Sequence, residues 1–137
     1  MQLSEQLNRA FIAMGRFINR TEGELSRPDF VVLVRLAARE CTRSRDLAQA
    51  EGLDPSTMSR RIASLAERGL VERHTDPADR RAQVLALTAA GQQAVLDERA
   101  RRVALVTEAL AGWEDADRVE LARLLGRLTD TLEQGQP

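Results

Sequence analysis

LAQAEGLDPSTMSRRIASLAERGLVERHTDPADRRAQVLALTAAG, residues 47–91, is punctuated as two short helices followed by a hairpin. Gly52 tolerates the left-handed backbone that ends a helix. Asp54 followed by Pro55 is a start signal, an oxygen-bearing cap before a proline whose missing N–H is no loss at the first helical position. Upstream, Thr42 is placed to cap a short helix carrying Leu47, Ala48 and Ala50. Two short helices joined by a glycine-containing turn are the sequence shape of a helix-turn-helix. Gly69 ends the second helix. Val71 to Thr75 and Ala82 to Leu87 then read as short strands around the polar turn Asp76 to Arg81.

Outward from this stretch the pattern is helical. Thr88 can cap a long helix running to about Ala111, in which Leu96, Val103 and Leu110 recur every seven residues, a spacing favoured where helices pack lengthwise. A last helix begins near Glu114 and carries Leu121, Leu124, Leu125, Leu128 and Leu132 on one face. Toward the start of the chain, Pro28 opens a helix to about Glu40 whose FVVLV segment, Phe30 to Val34, is apolar on nearly every side and therefore central. Gly23 separates it from a first helix, Gln2 to about Arg20, with Leu3, Leu7, Ala10, Phe11, Met14 and Ile18 in one stripe. The expected fold class is mainly α with a small β-hairpin wing.

Composition narrows the function. A chain of 137 residues fits a single domain, residues 1–137, and leaves no room for a second catalytic one. No apolar run approaches the roughly 20 residues of a membrane span, and the Met1 to Arg9 segment does not resemble a signal peptide, so a cytoplasmic location is expected. One cysteine and one histidine give no metal-ligand cluster. No nucleophile-base-acid set or glycine-rich phosphate loop is present, so neither an enzyme nor a cofactor is expected. The formal net charge of −1 excludes bulk electrostatic coating of nucleic acid. Any DNA binding has to come from local placement of positive groups.

The helix after Asp54 offers such placement. At 100° per residue, Met58, Ile62 and Leu65 fall in one inward sector, with Ser56, Arg60 and Ala63 opposite, Thr57 and Ser64 beside them, and Ser59 and Arg61 on the flanks. Between Asp54 and Glu67 the only charged residues are Arg60 and Arg61. A helix of this kind fits the major groove, where its first turns reach base edges. Small hydroxyls and arginines also occur on ordinary surface helices, so this face alone leaves the choice open.

Residues 47–91 also resemble the core of the multiple antibiotic resistance regulator (MarR) family, most tellingly in the wing sequence DPADRR and the LTAAG that follows it. The order of helices outside this core matches too, so the resemblance covers nearly the whole chain. It implies a winged helix-turn-helix over residues 28–88 and dimerisation helices over residues 1–22 and 89–134. It further implies a homodimer on a near-palindromic operator, usually as a repressor. The DNA-binding set is then Ser56, Thr57, Ser59, Arg60, Arg61 and Arg80, with Arg80 the wing arginine that enters a minor groove, where narrow A·T-rich tracts concentrate negative potential. Asp76, Asp79 and Arg81 are expected to brace the wing through ion pairs, and Arg73 and His74 to face solvent.

Many members of the family bind a small amphipathic or aromatic effector. The chain has no tyrosine, one tryptophan and three phenylalanines with which to line such a site. Phe11, Met14 and Phe17 are the candidates beside the first helix, and Trp113 reads as a packing residue. Relatives that sense oxidants carry a cysteine in the N-terminal helix near tyrosines. Cys41 departs from that pattern, although Arg39 and Arg43 nearby would favour its thiolate. The alternative function is a winged-helix module that pairs with a protein and has no sequence-selective DNA binding.

Overall fold

The computed structural model describes residues 2–20, 25–39 and 43–135. Six helices and one hairpin follow one another among them: α1 (Leu3–Arg20), α2 (Arg27–Ala37), α3 (Ser44–Glu51), α4 (Pro55–Glu67), β1 (Val71–Thr75), β2 (Gln83–Leu87), α5 (Ala89–Ala109) and α6 (Asp115–Gln134). This is the mainly helical class with a β-hairpin wing that the sequence predicts. By contacts the chain divides into two compact units, Met1–Arg102 and Val103–Pro137, with the boundary inside α5.

In the first unit, Ser26 caps α2 by accepting the Asp29 N–H at 3.3 Å, and Phe30, Val32, Leu33 and Leu36 are buried. The helix stops at Ala37, short of the expected Glu40. Arg39 already has φ 55, the left-handed conformation in which a helix terminates, and its N–H donates to the Leu36 carbonyl at 3.1 Å. At α3 the cap position belongs to Arg43, which makes no side-chain cap bond. Thr42, the expected cap, lies outside the described residues, as does Gly23. Gly52 (φ 63) and Gly69 (φ 75) take the left-handed conformation their positions demand.

The core joins every element from α2 to the first half of α5. Leu33, Leu47, Met58 and Leu65 are fully enclosed, with Leu36, Ile62, Val71, Leu85 and Val95 around them. Met58, Ile62 and Leu65 are thus the inward sector expected of α4. The hairpin is antiparallel, in register from Val71 opposite Leu87 to Thr75 opposite Gln83. Its second strand starts one residue later than expected because Ala82 closes the turn. The Ala82 N–H donates to the Asp79 carbonyl at 3.0 Å, and its own carbonyl accepts from the Asp76 N–H at 3.0 Å.

The end of the hairpin is locked onto α5 at one point. The Thr88 hydroxyl donates to the Gly69 carbonyl at 2.6 Å and accepts from the Gly91 N–H at 3.0 Å, so one side chain caps α5 and holds the end of α4. Gly91 must be glycine for packing reasons: a Cβ there would stand 2.1 Å from the Leu70 carbonyl oxygen. About two turns further on, Glu98 is buried. Two hydrogen bonds from Arg101, with a third from Arg102, keep its carboxyl below the usual range against the cost of burial. Arg102 also lies 4.1 Å from the centre of the Phe30 ring.

The α1 stripe is a different kind of surface. No residue of α1 is buried, and Phe11, Ile12 and Met14 are all exposed. In the second unit α6 likewise buries no residue. Leu121 and Leu128 are half-covered, and Leu124, Leu125 and Leu132 are exposed.

Candidate nucleic-acid interface

The outward face of α4 is organised by its cap. Asp54 accepts the Thr57 N–H at 2.9 Å and the hydroxyls of Ser56 at 2.6 Å and Thr57 at 2.7 Å. The Ser56 hydroxyl, then that of Thr57, then the Thr57 N–H hold the Asp54 carboxyl far below the ordinary carboxylate range. The sole acid at the start of α4 is thereby consumed. Ser56 and Thr57 have given their protons to it, which leaves their oxygens able to accept.

The two adjacent arginines of α4 have different surroundings. Arg60 is exposed and has no ion pair among the described residues. Arg61 is three-quarters buried, and its Nη1 donates to Asp29 of α2 at 3.2 Å, while Arg68 reaches the other oxygen of the same carboxylate at 3.4 Å. The Arg61 Nε is buried without a partner. Asp29 therefore fastens α4 to α2 and takes up the guanidinium of Arg61. Ser59 is exposed beside Arg60.

The wing is braced from below. Asp76 is buried and accepts the Ala78 N–H at 2.9 Å and a bond from Arg43, at the head of α3. The Ala78 bond, followed by the nearby Arg43 charge, keeps Asp76 below its ordinary range despite its burial. Asp79 accepts the backbone N–H of Arg81 at 3.0 Å, an Asx turn that shapes the tip. The expected ion pairs within the turn are thus replaced by one from outside it. The residue that sequence reading missed is Arg43, 33 positions from Asp76, whose backbone also bridges to Val84. The aspartates of the DPAD segment, residues 76–79, are the available signal for the turn; the identity of the distant partner has none.

Arg80 and the side chain of Arg81 are exposed at the tip without an ion pair among the described residues. With Arg43 and Arg45 they line a concavity of about 540 Å³ between the wing and the head of α3. His74 meets Glu72 at 3.2 Å, and Arg73 faces solvent. Exposed α4, the head of α3 and the wing tip accordingly present five arginines, Arg43, Arg45, Arg60, Arg80 and Arg81, of which Arg43 is neutralised by Asp76 and Arg45 lies 4.0 Å from Asp46.

Of the candidates for an effector site, Phe11 and Met14 line a cavity of about 580 Å³ with Arg16, Arg27 and Arg102, and Phe17 is not among its walls. Trp113 is half-exposed, its backbone N–H bonded to the Leu110 carbonyl at 3.0 Å in the turn between α5 and α6. Cys41 lies outside the described residues. Among those residues no helix is long and apolar enough to cross a membrane.

Residues 25–82 match the model of the MarR family. The chain is 28% identical to YxaD of Bacillus subtilis (strain 168), an uncharacterised HTH-type transcriptional regulator, over 131 residues that cover 93% of this chain and 92% of that one. Its fold is similar to that of the transcriptional regulator Tm0710 from Thermotoga maritima, with a TM-score of 0.75 at 23% identity over 98% of this chain and 96% of the other. It is also similar to BpsR of Bordetella bronchiseptica, whose DNA binding is regulated by 6-hydroxynicotinic acid. There the TM-score is 0.63 at 27% identity over 94% of this chain and 99% of that one.

Proposed function

We propose that the chain is a MarR-family DNA-binding transcription regulator, a cytoplasmic repressor that reads a near-palindromic operator as a homodimer and is released by a small-molecule effector; the match of residues 25–82 to the MarR family and the likeness to YxaD support this reading. The observation that carries the reading is the asymmetry of α4. Its inner face is sealed into the core by Met58, Ile62 and Leu65. Its outer face, with the cap acid consumed, offers Ser59, Arg60 and the acceptor oxygens of Ser56 and Thr57. An arginine bidentate to guanine discriminates by about 1–3 kcal/mol. In this reading Arg60 is the principal base contact and Arg80 the minor-groove one. Arg61, engaged by Asp29, contributes by holding α4 in place. Asp76, Asp79 and Arg43 fix the wing so that Arg80 arrives pre-positioned.

The homodimer reading is supported by the uncovered apolar stripes on α1 and α6, which a small monomer would not leave in water. In it, residues 28–88 form the DNA-binding part and residues 1–22 and 89–134 the dimerisation helices. Two recognition helices related by a two-fold axis sit about 34–36 Å apart, one DNA turn. Selection from random-sequence duplexes tests this. Enrichment of an inverted repeat with half-sites one turn apart is the expected result. No enrichment would favour a winged-helix module that binds protein. The effector reading draws on BpsR and on the cavity beside α1 that Phe11 and Met14 line.

A further inference from the structure

Three arginines lie along α4 and its end, and one carboxylate from another helix answers two of them. Asp29, in the first turn of α2, accepts from Arg61 Nη1 at 3.2 Å through one oxygen and from Arg68 Nη1 at 3.4 Å through the other. Asp29 and Arg61 are both largely buried, whereas the neighbouring Arg60 is exposed, with no ion pair among the described residues. We propose that Asp29 sets the sequence-independent part of DNA affinity by holding Arg61 off the phosphate backbone, so that α4 meets DNA with Arg60 as its unneutralised arginine.

Helical geometry places the two adjacent arginines differently toward a groove. Arg60 lies opposite the apolar sector of Met58, Ile62 and Leu65, on the side that a docked helix turns to the base edges. Arg61, about 100° further round, lies on the flank, where the walls of a groove are phosphate. A phosphate carries no sequence, so an arginine that reached one would tighten operator and non-operator DNA alike and steepen the salt dependence by about one unit. Asp29 competes for that guanidinium from the side of α2. Its hold is incomplete: the 3.2 Å bond is longer than the roughly 2.7–2.9 Å of charge-assisted pairs, the carboxylate is shared with Arg68, and the Arg61 Nε is buried without a partner. Without Asp29, Arg61 would be an unpaired, largely buried charge, a state costly enough to drive the guanidinium outward to solvent or phosphate. The inner face of α4 keeps its seat meanwhile, because Met58, Ile62 and Leu65 hold it in the core. This limit on affinity rests on the reading of α4 as the DNA-facing helix and adds to it how tightly any duplex is held.

The test is titration of a scrambled duplex, and of the operator recovered by selection, across a salt series with the full chain and its variants. The variants are Asp29→Ala, Arg61→Gln, which keeps a donor for Asp29, the two together, and Glu67→Gln, which removes the same charge from an exposed acid of α4. Thermal unfolding confirms that each variant folds, and Asp29→Asn, which keeps a hydrogen bond without the charge, takes the place of Asp29→Ala if that one does not. Asp29→Ala is expected to bind both duplexes about five- to tenfold tighter at about 0.1 M salt, with a slope steeper by about one and an unchanged ratio between them. Arg61→Gln, the double variant and Glu67→Gln are expected to keep the parent's slope. No gain with Asp29→Ala, a gain that survives Arg61→Gln, an equal gain with Glu67→Gln, a changed ratio at the parent's slope, or a lower slope for Arg61→Gln alone would each overturn the role of Asp29. Because the scrambled duplex needs no operator, a selection that enriches nothing contradicts the regulator reading alone and is recognised separately.

Discussion

The winged helix and the helices at the chain's two ends are built on opposite terms. From α2 to the first half of α5, every element contributes to one enclosed core, and polar groups are tied across it by Thr88, Asp29 and Asp76. In α1 and α6 no residue is buried, although both carry regular apolar stripes. The first region finds its partners within the chain. The second leaves its apolar faces exposed, and the proposed homodimer would cover them. What this teaches is that apolar periodicity specifies a helix face but leaves its partner undetermined: the stripe of α4 closes on the core, while those of α1 and α6 stay uncovered.

The comparison breaks first if the core is not a unit. Leu47→Ala, at a fully enclosed position, is expected to cost about 2–5 kcal/mol in chemical denaturation. Gly91→Ala forces a methyl against the Leu70 carbonyl and is expected to cost about 1–3 kcal/mol or more, because backbone must move to admit it. If Leu47→Ala unfolds like the parent, the core is not a unit; if Gly91→Ala does, the lock between hairpin and α5 is not where the strength lies. On the other side, Leu124→Asp combined with Leu125→Asp should turn dimers into monomers in sedimentation velocity while the winged helix keeps its far-ultraviolet spectrum. Each buried leucine in such an interface contributes about 1.5–3 kcal/mol. A smaller effect concerns the cap. Asp54 has a depressed folded pKa, so its stabilisation is complete above the unfolded value of about 3.9 and is lost as the pH falls below it toward the folded one. The stability gap between the parent and Asp54→Asn, whose cap does not titrate, should therefore be constant near neutrality and shrink below about pH 4.

Local signals were legible in the sequence and long-range ones were not. Asp54–Pro55, Gly52, Gly69 and Thr88 each act through neighbours within a few positions, and the structure places turns and caps at all four. The strand Val71–Thr75 was legible to its bounds. The end of α2 was overrun because no proline or glycine marks it, and Arg39 adopts the terminating conformation without a signal of residue type. At the candidate site, helical spacing sets Arg60 opposite the apolar sector and Arg61 on its flank, but it does not say that Arg61 meets a carboxylate. Their difference comes from Asp29, 32 positions away from Arg61, and the wing's brace comes from Arg43, 33 positions away from Asp76. Pairings at such separations follow from tertiary packing and leave no periodicity to read.

The central claim, that the outward face of α4 reads base sequence while the wing adds a contact of its own, is tested most directly by one titration. The full chain is bound to the DNA upstream of its own coding sequence and to a scrambled duplex of equal length, across a salt series, with Arg60→Ala and Arg80→Ala alongside. The account predicts preference for the upstream DNA. Arg60→Ala should lose about 1–3 kcal/mol and most of that preference, whereas Arg80→Ala should weaken both duplexes and lower the salt slope by about one. Equal binding of both duplexes by the parent, unchanged by Arg60→Ala, would contradict it.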